Sequence, residues 1–218
     1  MSKFKLRIKK RLIGKKSLVV MLHSIDESSD ICTISFASFV SFIDFFEEEI
    51  KNNKIIITFD DGFESVYTKC FEYLLNKNLP FVCFLVVDFI DRPNYLTKQQ
   101  ICEMLKTGLL TIGSHGKTHA VLDKIKKQDI ENEIVQSKFV LEKEFGVPVS
   151  LFAYSHGVFN KICVRAIKKA GYRFAYAATS NLSDYLFISN YKIPRFNLNE
   201  KTIASVKKEI GFYEKKSV

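Results

Sequence analysis

Seven short apolar runs, separated by six helix-length amphipathic segments, restrict the fold of this 218-residue chain more than any other feature. The runs are Leu18–Ile25, Lys54–Phe59, Pro80–Val87, Leu109–Gly113, Ser150–Tyr154, Tyr172–Ala177 and Leu186–Ile193. Between them the spacing predicts helices over Phe36–Lys51, Glu64–Asn78, Lys98–Lys106, Lys126–Phe145, Phe159–Lys169 and Ile203–Ile210. In the longest of these, Ile130, Ile134, Val135 and Leu141 recur near helical period, and Gly146 with Pro148 supplies the stop. Parallel strands need long crossovers, usually helical, and those helices bury both sheet faces. The alternation therefore predicts an α/β fold with a parallel sheet, barrel-like or open. No linker, repeat or composition break interrupts residues 17–212, which read as one domain with a short tail over 213–218.

The charge is unevenly placed. Of 33 basic side chains, eight fall in residues 1–16, where there is no acid; the remainder carries 25 basic against 24 acidic groups. The net +9 therefore belongs to an N-terminal arm. Its basic residues interleave with Phe4, Leu6, Ile8, Leu12 and Ile13. That pattern suits an anionic membrane surface, and a solvated terminus is the bland alternative. Nucleic acid is the poorer partner, because the body of the chain is nearly neutral. The Leu18–Leu22 run is too short for a secretory signal, and no stretch reaches bilayer-crossing length. Five scattered cysteines form no C-x-x-C pair and read as reduced thiols, so the expected location is the cytoplasm, at or near the inner membrane face.

Polar residues then gather where the strands end, and in parallel α/β sheets the carboxyl ends of the strands form the functional face. Ile55–Phe59 stops at Asp60-Asp61-Gly62, two adjacent like charges that repel unless a cation stands between them. An Asp-Gly turn is the plain structural reading of the same stretch. His23 closes the first run, His115 follows the fourth, His156 the fifth and Arg195 the seventh. Ser114-His115-Gly116-Lys117-Thr118-His119 holds two histidines four apart, which would share a face if the chain turned helically after Gly116. Two imidazoles and one carboxylate leave a position open for water, the pattern of a catalytic zinc site. One aspartate would then bind the metal and the other act as base.

Thr58-Phe59-Asp60-Asp61-Gly62 and Ser114–His119 resemble the first two motifs of the polysaccharide deacetylases, also called the NodB-homology or carbohydrate esterase family 4 domain. The resemblance spans about residues 17–198. It implies a distorted (β/α) barrel of about seven parallel strands, a divalent metal (usually zinc), and removal of acetyl groups from sugars. Matched residue by residue, it makes Asp60 the general base and Asp61, His115 and His119 the metal ligands. Two stretches depart from the family pattern. Phe152-Ala153-Tyr154-Ser155-His156-Gly157 stands where a Pro-Tyr-Gly-like turn is usual, with Ser155 for the proline and His156 for the aromatic. Tyr154 and His156 are therefore substrate-binding or supporting candidates, His156 through a backbone N–H toward an oxyanion, through its ring, or as a surface turn residue. The family's C-terminal histidine is missing; Val20-Met21-Leu22-His23-Ser24-Ile25 is similar to a rearranged version of that motif, which makes His23 the general acid. Asp26 or Asp184 could orient it. Arg195 would hold Asp60 ionised, or sit on the surface.

The resemblance thus implies a metal-dependent hydrolase that removes an acetyl group, chiefly N-acetyl, from a sugar or lipid-linked saccharide in surface-glycan biosynthesis. The competing reading is a non-catalytic carbohydrate-binding or scaffold protein on the same fold, motivated by the altered Tyr154–Gly157 turn.

Overall fold

The computed structural model describes residues 17–27, 32–178 and 189–215. The basic arm, Asp184 and the start of the Leu186–Ile193 run lie outside them. The strands are β1 (Leu18–Leu22), β2 (Ser24–Ile25), β3 (Thr33–Ile34), β4 (Ile55–Phe59), β5 (Phe81–Leu85), β6 (Leu110–Ser114), β7 (Leu151–Ala153), β8 (Phe174–Tyr176) and β9 (Phe196–Asn197). The helices are α1 (Phe36–Phe45), α2 (Glu47–Lys51), α3 (Glu72–Asn76), α4 (Lys98–Lys106), α5 (Lys127–Phe145), α6 (Lys161–Lys169) and α7 (Ile203–Lys215).

Seven strands form one curled sheet in the order β8-β7-β6-β5-β4-β1-β9. Every pairing in it is parallel. β2 and β3 pair separately. Side chains alternate between two apolar layers, one under the helices and one inside the curl. On β5, Phe81, Cys83 and Leu85 pack outward under the helices, while Val82 and Phe84 join Val19, Leu151, Ala153, Phe174 and Tyr176 inside the curl. Strands buried on both faces read as unbroken apolar runs, which is why sequence found them.

The end of the sheet differs from expectation. The seventh run was placed at Leu186–Ile193; the last sheet strand is β9, and Ile193 makes only an isolated parallel bridge to Tyr176. Pro194 cannot donate to a ladder. The chain bonds to β8 through Ile193 N–H to Ala175 O (2.9 Å), then to β1 through Leu198 N–H to Met21 O (2.8 Å). One segment thus bonds to β8 at one edge of the sheet and, as the edge strand β9, to β1 at the other, which draws the curl into a distorted barrel.

Two helix predictions also change. Phe36–Lys51 breaks at Phe46, whose φ/ψ of −116°/23° is not helical. Glu64–Asn78 opens with a π-helical turn, Val66–Phe71, before α3. Lys98–Lys106 is capped as a sequence reader would wish: the Thr97 hydroxyl accepts from Gln100 N–H and the Gln100 amide accepts from Thr97 N–H. No helix among the described residues is long and apolar enough to cross a membrane, and Cys70, Cys83, Cys102 and Cys163 are in no disulfide.

Candidate active site

The ladder between β1 and β4 sets the first pair of residues. Leu22 pairs with Phe59, and Asp60 N–H continues to the Leu22 carbonyl at 2.8 Å, so His23 and Asp60 leave neighbouring strands side by side. The chain then turns sharply, with Asp61 at φ 67° and Gly62 at φ 80°. A side chain at Gly62 would stand 3.0 Å from Leu85 as well as being strained, so glycine follows the two acids for a physical reason. An aspartate tolerates the left-handed region better than most residues. That conformation turns Asp61 away from Asp60 and toward β6.

Asp60 is almost fully buried. Arg195 meets it with two parallel bonds, Nη1 to Oδ1 at 2.6 Å and Nη2 to Oδ2 at 2.7 Å. The guanidinium also donates to Thr58 Oγ1 (3.2 Å) and, through Nε, to Ala177 O (3.1 Å), and lies 5.3 Å from the Phe84 ring centre. Burial alone would raise the Asp60 pKa; the Arg195 charge, then His115 and the paired bonds, outweigh it and hold the carboxyl at about 2. The sequence leaves Arg195 two places, against Asp60 or on the surface. It lies against Asp60, between the Ile193 bridge and β9, and is fully buried inside the barrel.

His115 follows β6, anchored through N–H to Leu85 O and through ring Nδ1 to Ala153 O, both 2.8 Å. A proton on Nδ1 in that bond leaves Nε2 with a free lone pair facing the acids. Burial lowers the His115 pKa, against the pull of Asp60 and Asp61. The helical turn after Gly116 that would put both histidines on one face does not form. Residues 115–121 form a loop, and His119 itself is left-handed at φ 68°. The loop still brings the two rings to 5.0 Å, with His119 Nε2 at 3.1 Å and His115 Nε2 at 3.5 Å from Asp61 Oδ1. Burial raises the Asp61 pKa, but His119 and His115 bring it below its ordinary value.

Asp61, His115 and His119 each offer one ligand atom, all within 4.8 Å of one another. Asp61 Oδ1 is buried yet finds no well-formed hydrogen bond. An orphaned carboxylate oxygen facing two imidazole nitrogens is an environment a divalent cation satisfies, and the donors fit zinc.

The far wall is the Tyr154–Gly157 turn. Tyr154 is buried, donates to Tyr191 O at 3.1 Å and stacks on Phe159 at 4.3 Å, so it supports the wall from behind. Ser155, in the place of the usual proline, donates to His115 O at 2.8 Å, which ties the wall to the residue that follows β6. His156 is exposed at φ 58°, with its ring 4.5 Å from that of His119. His23 Nδ1 is buried without a hydrogen-bond partner among the described residues, as is Asn197 Oδ1 on β9. Asp26 does not orient His23: it is exposed and accepts from Glu27 N–H at 2.6 Å.

Sequence reading missed Glu133. It sits in the buried stripe of α5 with Ile130, Ile134, Ser137 and Leu141 and accepts three hydrogen bonds from Lys117 and Thr118. An acid in phase with an apolar stripe was the available signal.

The model of the family described as polysaccharide deacetylase matches residues 47–175. A Bacillus subtilis protein provisionally named a polysaccharide deacetylase is 28% identical over 119 residues, 55% of this chain and 42% of the relative. A Staphylococcus epidermidis poly-beta-1,6-N-acetyl-D-glucosamine N-deacetylase is 27% identical over 200 residues, 83% of this chain and 68% of the relative. The chain thus spans less than half the length of the first relative and about two thirds of the second. A Streptococcus pyogenes deacetylase, solved in complex with acetate, superposes with a TM-score of 0.76 over 88% of this chain and 97% of its own at 15% identity, a likeness of fold.

Proposed function

Because the chain belongs to the polysaccharide deacetylase family, we propose that it is a metal-dependent hydrolase that removes the acetyl group from an N-acetylated sugar within a saccharide. The convergence of Asp61, His115 and His119 beside an Asp60 held ionised by Arg195 carries this reading. Asp61, His115 and His119 would hold a divalent cation, zinc for preference, whose Lewis acidity polarises an acyl oxygen.

The residues divide the remaining work. Asp60, ionised and fixed by two bonds, takes the proton from the attacking water as its oxygen bonds to the acetyl carbon. A carboxylate of low pKa is a weak base, but position compensates for strength when the proton is already in reach. His23 gives a proton to the sugar nitrogen as the C–N bond breaks, so that acetate and a free amine leave. His156 borders the cleft on the side of His119, where substrate would pass. The relative's name makes a β-1,6-linked N-acetylglucosamine oligomer the first substrate to try.

Acetate release from that oligomer and from chitooligosaccharides is the direct test. Chelation should abolish it and added zinc should restore it. Release untouched by chelation would overturn the metal reading, and no release from the zinc-loaded chain would overturn the hydrolase reading. His23→Ala should lose about 10²- to 10⁴-fold in kcat while binding zinc normally. Loss of zinc in that variant would instead make His23 a ligand.

A further inference from the structure

Glu133 is 8% exposed and makes no salt bridge among the described residues. A buried carboxylate without a cation is costly unless hydrogen bonds replace its water. Oε2 accepts Lys117 N–H at 2.8 Å and Thr118 N–H at 2.9 Å, and Oε1 accepts the Thr118 hydroxyl at 2.7 Å. All three bonds reach the two residues just before His119. Gly116 makes the approach close: it adopts φ 89°, and a Cβ there would lie 3.1 Å from Glu133 Oε2.

The loop is held from its other side as well. Asp88 N–H donates to Lys117 O at 2.9 Å, and Lys117 Nζ pairs with the Asp88 carboxylate at 2.9 and 3.0 Å. His115 has anchors of its own on β5 and β7. The His119 ring makes no hydrogen bond to backbone among the described residues, so the loop that carries it decides where Nε2 stands relative to Asp61.

We infer that Glu133 is a positioning residue for the metal-ligand set, holding residues 117–118 so that His119 meets Asp61 and His115. The inference rests on the metal reading of that triad. Its role is that of an acceptor: a glutamine can accept both N–H groups through its oxygen and donate to the Thr118 hydroxyl, whereas alanine takes the acceptor away from both N–H groups and the hydroxyl.

The test measures zinc affinity by competition with a chromophoric chelator, beside thermal unfolding of the metal-stripped protein. Glu133→Ala should bind zinc about 10- to 100-fold more weakly, the usual effect of removing a group that orients a ligand. Its metal-stripped form should still unfold cooperatively. Glu133→Gln should stay within about threefold of wild type, since its bonds are kept. Wild-type affinity in Glu133→Ala, or equal losses in both variants, would overturn the inference alone. Absence of zinc binding by the unaltered chain would overturn the metal reading and the inference with it. Should the alanine variant fail to fold, Thr118→Val carries the test: it removes only the hydroxyl bond, a severalfold weakening is expected, and unchanged affinity overturns the inference.

Discussion

Arg195→Met should lower folding stability by about 3–5 kcal/mol, because it leaves the Asp60 carboxylate buried without its cation. Both groups are shielded from water, with Arg195 fully buried and Asp60 2% exposed. Removing one partner of such a pair costs far more than the pair contributes, since the other charge remains desolvated. The double variant Asp60→Leu/Arg195→Met should recover much of the loss, giving a large interaction energy in a double-mutant cycle. Urea unfolding of the four proteins at neutral pH reads this directly. A single-variant loss below about 1 kcal/mol would mean that the pair behaves as a solvated surface pair.

The same pair carries a pH signature. Asp60 is held at about 2 against an ordinary value of 3.8. Its contribution is therefore present above the ordinary value and lost as pH falls from about 3.8 toward 2. The shift corresponds to on the order of 2 kcal/mol. Wild type should show that loss and Arg195→Met should not.

Asp60→Asn should lower kcat for acetate release by about 10²- to 10⁴-fold, the usual worth of a positioned base. Zinc content should remain near wild type, because the atoms that would hold the metal belong to Asp61, His115 and His119. The asparagine keeps one oxygen for Arg195 and sets its NH₂ against the other guanidinium nitrogen, a donor facing a donor. A stability loss of about 1–3 kcal/mol is expected from that clash. Metal analysis beside turnover separates the two effects. Turnover like wild type with zinc bound would remove Asp60 from the role of base, and zinc loss would mean that it is also a ligand.

Much of this arrangement is local and therefore legible. Ile55–Phe59 and Phe81–Leu85 read as strands because their apolar runs are continuous, and α5 reads as a helix because its period and its Gly146 stop are written in neighbouring residues. The acids at the end of β4 stood out because nothing in an apolar layer requires them. The spacing of His115 and His119 pointed correctly to their meeting, yet for the wrong reason: a loop, not a helical turn, joins them. Gly116, Lys117 and Thr118 carry no sign of that by themselves. The bonds of Lys117 and Thr118 run to Glu133, more than a dozen residues on, and Lys117 also reaches Asp88 on the preceding strand's loop.

Sequence alone determined the alternation of strands and helices, the strand-end positions of the acids and histidines, and the family pattern they match. Only the tertiary structure decided that Arg195 enters the barrel interior to hold Asp60, 135 positions away, that His23 stands beside it, and that Glu133 bonds to Lys117 and Thr118. The division has one physical cause. Periodicity, capping and turn chemistry act between near neighbours, and a one-dimensional pattern records them. The register between β1, β4 and β9 and the desolvation of a charge depend on which distant segments pack together, and only the closed sheet specifies those.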